Sequence, residues 1–184
     1  MRPFVELEDV DFAYGAVSVL ERINLTVEAG DFLGIIGPNG SGKTTLLRIV
    51  LGLLPPTRGT VRLFGHPPAS FRQWGRLGYV PQRATLDPAL PVTVREVVAT
   101  GLLPSLGLFG RLGAAARQRI DEVLGQVGMA EHATTRIGAL STGQQQRVLI
   151  ARALVSKPEL LIRTSPPAAW IRRPRRASTR CSTT

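Results

Sequence analysis

Short apolar runs and alternating positions dominate the first 80 residues and predict β-strands. Residues 4–10 alternate loosely, Val17–Val27 extends the pattern over one or two strands, and Phe32–Ile36 is an uninterrupted apolar run. Alternation with a period of two is typical of a half-buried strand, whereas a short continuous run favours a buried one. Residues 60–64 and Leu77–Val80 predict two further strands. We therefore expect an antiparallel opening that leads into a core sheet.

Helical patterns take over after the fifth predicted strand. Residues 92–100, 117–127 and 143–155 predict three helices, and residues 159–162 begin another core strand. In the second helix the apolar residues recur at i, i+3, i+4 and i+7, so they share one face; they are Ile120, Val123, Leu124 and Val127. The chain therefore has an α/β pattern with a helical segment at about residues 84–156.

Composition narrows the class of protein. The chain has 184 residues with 43% hydrophobic content, which is enough for one domain with a substantial core. Its apolar runs stay below the roughly 18 residues that span a bilayer, and residues 1–11 do not resemble a secretory signal. A single cysteine, Cys181, provides neither a disulfide framework nor a metal site, so a cytoplasmic location is expected.

The net charge of +10 comes mostly from the end of the chain. Without the six arginines that follow Ile162, 17 basic residues face 13 acidic ones. A basic tail can bind nucleic acid or anionic lipid. Apart from Trp170 the tail has no interleaved aromatic residues, so the known modules that bind specific nucleic acids are not predicted.

The strongest motif lies between the third strand and the first helix. Residues 37–44 match every fixed position of G-x-x-x-x-G-K-[ST], the phosphate-binding loop. Its residues are Gly37, Pro38, Asn39, Gly40, Ser41, Gly42, Lys43 and Thr44, and Thr45 follows in the helix. Glycines let backbone N–H groups approach polyphosphate, and the helix N-terminus adds its positive dipole end. Lys43 is predicted to reach the β- and γ-phosphates, and the Thr44 hydroxyl to ligate Mg²⁺. The alternative is a glycine turn that happens to precede a lysine.

A second motif begins the last predicted helix. Ser141 and Gln144 have the S-x-x-Q spacing of a capping box, which is a purely structural interpretation. A helix N-terminus that carries Ser141, Thr142 and Gly143 is also a second anion site. Taken alone, this motif favours the capping interpretation.

Together, the loop and the run Leu140-Ser141-Thr142-Gly143-Gln144 resemble the ATP-binding cassette family over residues 4–162. The family signature is L-S-G-G-Q, so Thr142 departs from it. The resemblance implies a P-loop NTPase fold with an antiparallel β subdomain, a mostly parallel core sheet and an α-helical signature subdomain. It implies that Tyr14 stacks on adenine and that Gln82 contacts Mg²⁺ and the attacking water. Their alternatives are a core aromatic residue and a solvated loop glutamine.

The resemblance also implies partners. Two cassettes are expected to stack head to tail, with ATP held between the Lys43 loop of one subunit and the Ser141–Gly143 segment of the other. Residues 78–83, 91–94 and 107–111 are similar to the branch that drives uptake of zinc or manganese. Transmembrane permease subunits and, indirectly, an extracytoplasmic solute-binding protein are then expected, with this subunit on the inner face of the membrane. The histidines His66 and His132 lack ligand spacing and are interpreted as surface residues.

The chain departs from the family after Ile162. The family has D-E-P-T there, which supplies a magnesium-binding Asp and a water-activating Glu, whereas this chain has Arg163-Thr164-Ser165-Pro166 and no carboxylate thereafter. One back-translation of residues 163–171, read from its third base, encodes Asp-Glu-Pro-Thr-Ser-Gly-Val-Asp. We therefore expect a frame-shifted, disordered tail at residues 163–184, a core without its last strands and impaired hydrolysis. A basic tail with another role is the alternative.

Four functions remain open at this point. The first is the ATPase subunit of a metal-ion importer, and the second is a non-hydrolysing nucleotide-binding module or an inactive gene remnant. A cassette ATPase of repair or translation is a third, although such proteins usually carry two cassettes in one chain. A phosphate-loop kinase or GTPase is the fourth, and it does not explain residues 140–144.

Overall fold

A computed structural model describes residues 3–81, 90–106, 112–165 and 168–172. Its strands, labelled β1 to β7, are Val5–Tyr14, Val17–Val27, Phe32–Ile36, Arg58–Leu63, Leu77–Val80, Leu160–Ser165 and Ala168–Arg172. Its helices, labelled α1 to α5, are Lys43–Val50, Val94–Ala99, Leu103–Leu106, Ala114–Gln126 and Thr142–Leu154. None of the described helices has the length and apolar character that a membrane span requires.

The first sheet has three antiparallel strands in the order β2-β1-β4. Val5 pairs with Val27 on one side and with Leu63 on the other, so β1 lies in the middle. Val5, Leu7, Val10 and Phe12 of β1 are buried in the first hydrophobic core together with the inner face of α1, and the register shift between Leu7 and Val10 accounts for the change in spacing. The predicted antiparallel subdomain is therefore confirmed.

The second sheet has four strands in the order β3-β7-β6-β5. β5 pairs with β6 in parallel, whereas β7 pairs antiparallel with both β3 and β6. Three of the four strands thus share one direction, and β7 runs against them. Only two residues separate β6 from β7. A connection this short permits a hairpin but not a parallel crossover.

The position of β3 also differs from the prediction of a buried strand. β3 lies at one end of the strand order, and alternate positions are exposed, with Phe32 at 59% and Ile36 at 73%. Leu33 and Ile35, on the other face, pack against the first core. An apolar run does not reveal whether one or both faces of a strand are covered.

The helices form a second hydrophobic core. Its buried residues come from α2, α4, α5 and the segment that precedes α5. The predicted apolar face of α4 is confirmed, because Ile120, Val123 and Leu124 are fully buried. The helical subdomain therefore has its own core, and the phosphate loop and the signature helix belong to different cores.

The boundary expected after Ile162 is not where the described structure ends. β6 continues to Ser165, and β7 follows at Ala168–Arg172. Residues 163–165 and 168–172 are therefore in strands, while a domain boundary at Ile162 stays a prediction. Residues 173–184 lie outside the described part of the chain.

Candidate functional site

The predicted phosphate loop connects the end of β3 to the start of α1. Gly40 and Gly42 have φ angles of +84° and +80°, the left-handed region that other residues rarely adopt. A Cβ on Gly37 would lie 2.8 Å from Ser41 Oγ, so the loop folds closely over the strand end. The loop is therefore turned back on itself and not extended.

Helix α1 has Gly42 as its N-cap residue, so its first turn receives no side-chain hydrogen bond. The first N–H groups of a helix have no partner within the helix. At α2 and α5, by contrast, complete capping boxes serve these groups. The N-terminus of α1 therefore presents unpaired donors and its dipole end to whatever lies in the loop.

Lys43 is folded over the loop. Its Nζ donates hydrogen bonds to the carbonyl oxygens of Gly37 at 2.7 Å and Pro38 at 2.6 Å, and to Ser41 Oγ at 3.2 Å. The ammonium group thus lies on the glycine loop, and Lys43 is itself the first residue of α1. Thr44, the next residue, is exposed and leaves its hydroxyl accessible.

The antiparallel sheet holds the loop in position. A Cβ on Gly42 would lie 2.8 Å from Leu20 Cδ2 and 3.0 Å from the Val19 carbonyl oxygen, both of β2. Thr45, which follows the loop, is buried. The backbone of the α1 N-terminus therefore rests directly on β2.

Tyr14 ends β1 and is 48% exposed. Its ring stands edge-on to Phe12, with 4.8 Å between the centroids. Phe12 is buried, so it is Phe12 and not Tyr14 that belongs to the core. The exposed Tyr14 face is available for stacking.

The signature segment lies at the N-terminus of α5. Gln144 N donates to Ser141 Oγ at 3.3 Å, and Ser141 N donates to Gln144 Oε1 at 2.9 Å. The predicted capping box is therefore present, while Ser141, Thr142 and Gly143 remain exposed. A Cβ on Gly143 would meet no atom within 4 Å. This helix end is both capped and open to a partner.

The sequence did not identify two further contacts at this helix end. Gln144 Nε2 lies 3.2 Å from His132 Nε2, and Gln145 Nε2 donates to the carbonyl oxygens of Ile137 and Leu140. His132 is half-buried, which differs from the interpretation of a plain surface residue. Its signal in the sequence was weak, because residue 132 lies between the predicted helices, whereas residue 144 is near the start of one.

Residues 163–165 and 168–172, which follow Ile162, belong to strands of the second sheet. Arg163 is exposed, and Thr164 is buried and donates its hydroxyl to the Val80 carbonyl oxygen at 3.4 Å. Among the described residues, no cluster of three His, Cys, Asp or Glu side chains is placed to hold a metal ion. Gln82 and residues 107–111 lie outside the described part of the chain.

Comparison with known proteins extends this description. The sequence model of the ABC transporter family matches residues 20–166. The zinc uptake system ATP-binding protein ZurA of Listeria innocua is 46% identical over 167 residues, 90% of this chain and 65% of that protein. The manganese transport system ATP-binding protein MntB of Bacillus subtilis is 40% identical, over 88% of this chain and 64% of that protein.

A solved ABC transporter structure is also similar to this chain. A metal-chelate type ABC transporter in an inward-facing conformation matches with a TM-score of 0.75 and 27% identity, over 89% of this chain and 60% of that one. The chain thus spans slightly less than two thirds of the length of ZurA.

Proposed function

The chain belongs to the ABC transporter ATPase family, and from that premise we propose that it is the nucleotide-binding subunit of a divalent-metal importer. The main support for this proposal is the N-terminus of α1, which lies in the glycine loop and has no side-chain cap. Donors without partners, a helix dipole and the Lys43 ammonium group converge there, and together they suit the polyphosphate of ATP. The similarity to zinc and manganese uptake proteins supports the class of cargo.

Residues of the loop have separate tasks in nucleotide binding. Backbone N–H groups from Gly40 to Thr45 hold the phosphates, while Lys43 exchanges its bonds to the Gly37 and Pro38 carbonyl oxygens for bonds to phosphate oxygens. Tyr14, at the end of β1, offers its exposed ring to the adenine.

The residues of this chain supply only some of the ligands that a Mg²⁺ ion requires. The Thr44 hydroxyl supplies one hard oxygen ligand, and Gln82 is a second candidate from the sequence. Mg²⁺ in phosphate sites usually also takes one or two carboxylates. Arg163 and Thr164 stand where the family has acidic residues, so no carboxylate is offered from the end of β6. We therefore propose that the chain binds ATP with weak magnesium dependence and hydrolyses it poorly.

The exposed N-terminus of α5 supplies the second half of the site. Ser141 and Gly143 are open to solvent, and α5 belongs to a different core from the loop. We propose that this helix end contacts the nucleotide of a second, head-to-tail subunit. Transmembrane permease subunits would then place the pair on the inner face of the membrane, with a solute-binding protein on the outside.

Equilibrium binding of a fluorescent ATP analogue tests the nucleotide site. The variant Lys43→Ala is expected to weaken binding by about 10- to 100-fold, because a charged hydrogen bond is worth about 1.5–3 kcal/mol. Lys157→Asn is the matched control, since Lys157 is exposed, is the other lysine of the chain and has a φ of +54° that Asn tolerates. Equal binding by both variants, or none by the unchanged protein, contradicts the proposal.

The transport role has its own test. Genes for a membrane permease and for an exported binding protein are the expected neighbours of this gene. Co-purification of the chain with that permease, but not with an unrelated permease, would support the import assignment. Neighbouring genes of nucleic-acid repair or translation would instead favour a cassette without a membrane partner.

A further inference from the structure

The side chain of Gln144 is bound at both ends. Its Oε1 accepts the Ser141 N–H at 2.9 Å, so its amide NH₂ group is directed elsewhere. That NH₂ nitrogen lies 3.2 Å from His132 Nε2. The capping box at the N-terminus of α5 is therefore linked to an imidazole ring twelve residues away.

The chemistry of the two groups fixes the form of the histidine. The Gln144 NH₂ group only donates, so the ring nitrogen facing it has to accept. His132 Nε2 accepts only in the neutral ring whose proton is on Nδ1. In the imidazolium both ring nitrogens donate, and two donors would then face each other at 3.2 Å.

The backbone sets the position of the ring in advance. His132 ends a 3₁₀ turn, Ala130–His132, in which its N–H donates to the Met129 carbonyl oxygen at 3.1 Å. The next residue, Ala133, is buried in the helical core. A ring held on such a turn can orient Gln144 without ordering a loop first.

We propose that His132, as the neutral Nδ1–H tautomer, is a positioning residue that orients Gln144 and so holds Ser141 at the second phosphate site. The inference rests on the proposed role of the α5 N-terminus. His132 does not touch the nucleotide in this arrangement. Protonation of the ring releases Gln144, loosens the capping box and weakens the signature end of the helix.

Charged residues lie on the turn that carries His132, on the segment that follows it, and on α4 and α5. Glu131 precedes it on the same turn, Arg136 follows it, and Arg147 lies on α5. The α4 carboxylates face arginines, since Asp121 pairs with Arg95 at 2.6 Å and Glu122 with Arg119 at 3.3 Å. Among the described residues, the Gln144 amide is the hydrogen-bond partner of the imidazole.

Gln145 provides an internal reference on the same helix. Its Nε2 donates to the carbonyl oxygens of Ile137 at 3.2 Å and Leu140 at 3.3 Å. Neither acceptor titrates. A change at Gln144 that spares Gln145 is therefore assigned to the histidine and not to general loosening of the helix.

Nuclear magnetic resonance of the full chain tests the contact without nucleotide. We expect His132 to be the Nδ1–H tautomer at pH 8, and the Gln144 side-chain amide signals to shift with the His132 titration while those of Gln145 stay constant. The Gln144 shift is expected to vanish in His132→Gln and to persist in His66→Ala, which removes the other, exposed histidine. An Nε2–H tautomer, or Gln144 signals that ignore the titration, overturns the proposal.

Nucleotide-dependent association of two chains tests the consequence. His132→Ala is expected to weaken it by about 2- to 10-fold, the range of a single hydrogen bond worth about 0.5–1.5 kcal/mol. His132→Gln, which keeps an acceptor and does not titrate, should restore association and remove its pH dependence. Unchanged association in His132→Ala overturns the inference. If no variant associates while the amide coupling is present, the proposed second phosphate site fails and the positioning contact stands.

Discussion

Arg76 and Glu159, 83 residues apart, form a two-point ion pair that joins the start of β5 to the start of β6. Arg76 Nε and Nη2 donate to the two Glu159 carboxylate oxygens at 2.6 and 2.9 Å, and Glu159 N donates to the Arg76 carbonyl oxygen at 2.8 Å. The guanidinium also lies 4.0 Å from the Phe64 ring centroid. The only parallel strand pair among the described strands thus begins with a clamp.

Removing this clamp is expected to lower the free energy of unfolding. Arg76→Ala should lower the free energy of unfolding by about 1–2 kcal/mol, because it removes both a partly exposed ion pair and a cation–π contact. Arg76→Lys should cost less, because it keeps the charge but loses the two-point geometry. Urea unfolding measures both values, and Arg62→Ala is the control because its contact with Glu6 is 3.8 Å long and exposed. Equal effects of Arg76→Ala and Arg62→Ala would contradict this role.

The hydrogen bond to Glu159 raises the pKa of Arg76 against the opposing effect of burial. Arg76 therefore stays charged throughout the usual pH range. The clamp is expected to weaken only in acid, where the carboxylate takes up a proton.

Glycine at position 42 is expected to be needed more strictly than glycine at position 40. Both have positive φ, but a Cβ at residue 42 would overlap β2, whereas one at residue 40 would meet no atom within 4 Å. Gly40→Ala should cost roughly 1–2 kcal/mol for the left-handed backbone. Gly42→Ala should cost about 1–3 kcal/mol more for overpacking. Urea unfolding of the two variants checks this difference, and equal losses would show that β2 does not hold the loop.

The capping box of α2 is expected to weaken in acid. Thr93 N and Oγ1 each donate to Glu96 Oε2 at 2.7 Å, and these bonds lower the pKa of Glu96, the backbone bond most. A depressed pKa in the folded state contributes stability above the unfolded pKa, and this stability is lost as the pH falls through the folded value. Glu96→Gln keeps the capping geometry but does not titrate. The stability difference between the two proteins should therefore change below about pH 4 and stay constant from pH 6 to 8.

Local signals in the sequence were sufficient for most elements. β2, β3 and β5 have the predicted bounds, and Ser141 caps the helix that its spacing from Gln144 predicted. These features depend on residues within a few positions of one another. A phosphate-binding loop is predictable for the same reason, since its glycines and lysine are contiguous.

Long-range relationships were not predictable in this way. The sequence did not indicate that β7 would lie between β3 and β6. The residue pattern of an arginine-rich segment does not show which strands it pairs with. The exposure of Ile36 reflects an uncovered face of β3, which an apolar run does not reveal. The contact of His132 with Gln144 also depends on a turn whose path only the folded chain defines.

The turnover of ATP is expected to be near background. Proton transfer by a positioned acid or base contributes about 10²–10⁴-fold to catalysis, and Arg163 and Thr164 at the end of β6 offer no such carboxylate. Phosphate release by the unchanged protein should therefore equal that of Lys43→Ala, although Lys43→Ala binds nucleotide more weakly. Chelation of Mg²⁺ should change nucleotide affinity only slightly, because Thr44 is the only loop side chain assigned to the ion. Magnesium-dependent phosphate release that Lys43→Ala abolishes would show that another group in this chain replaces the missing carboxylates.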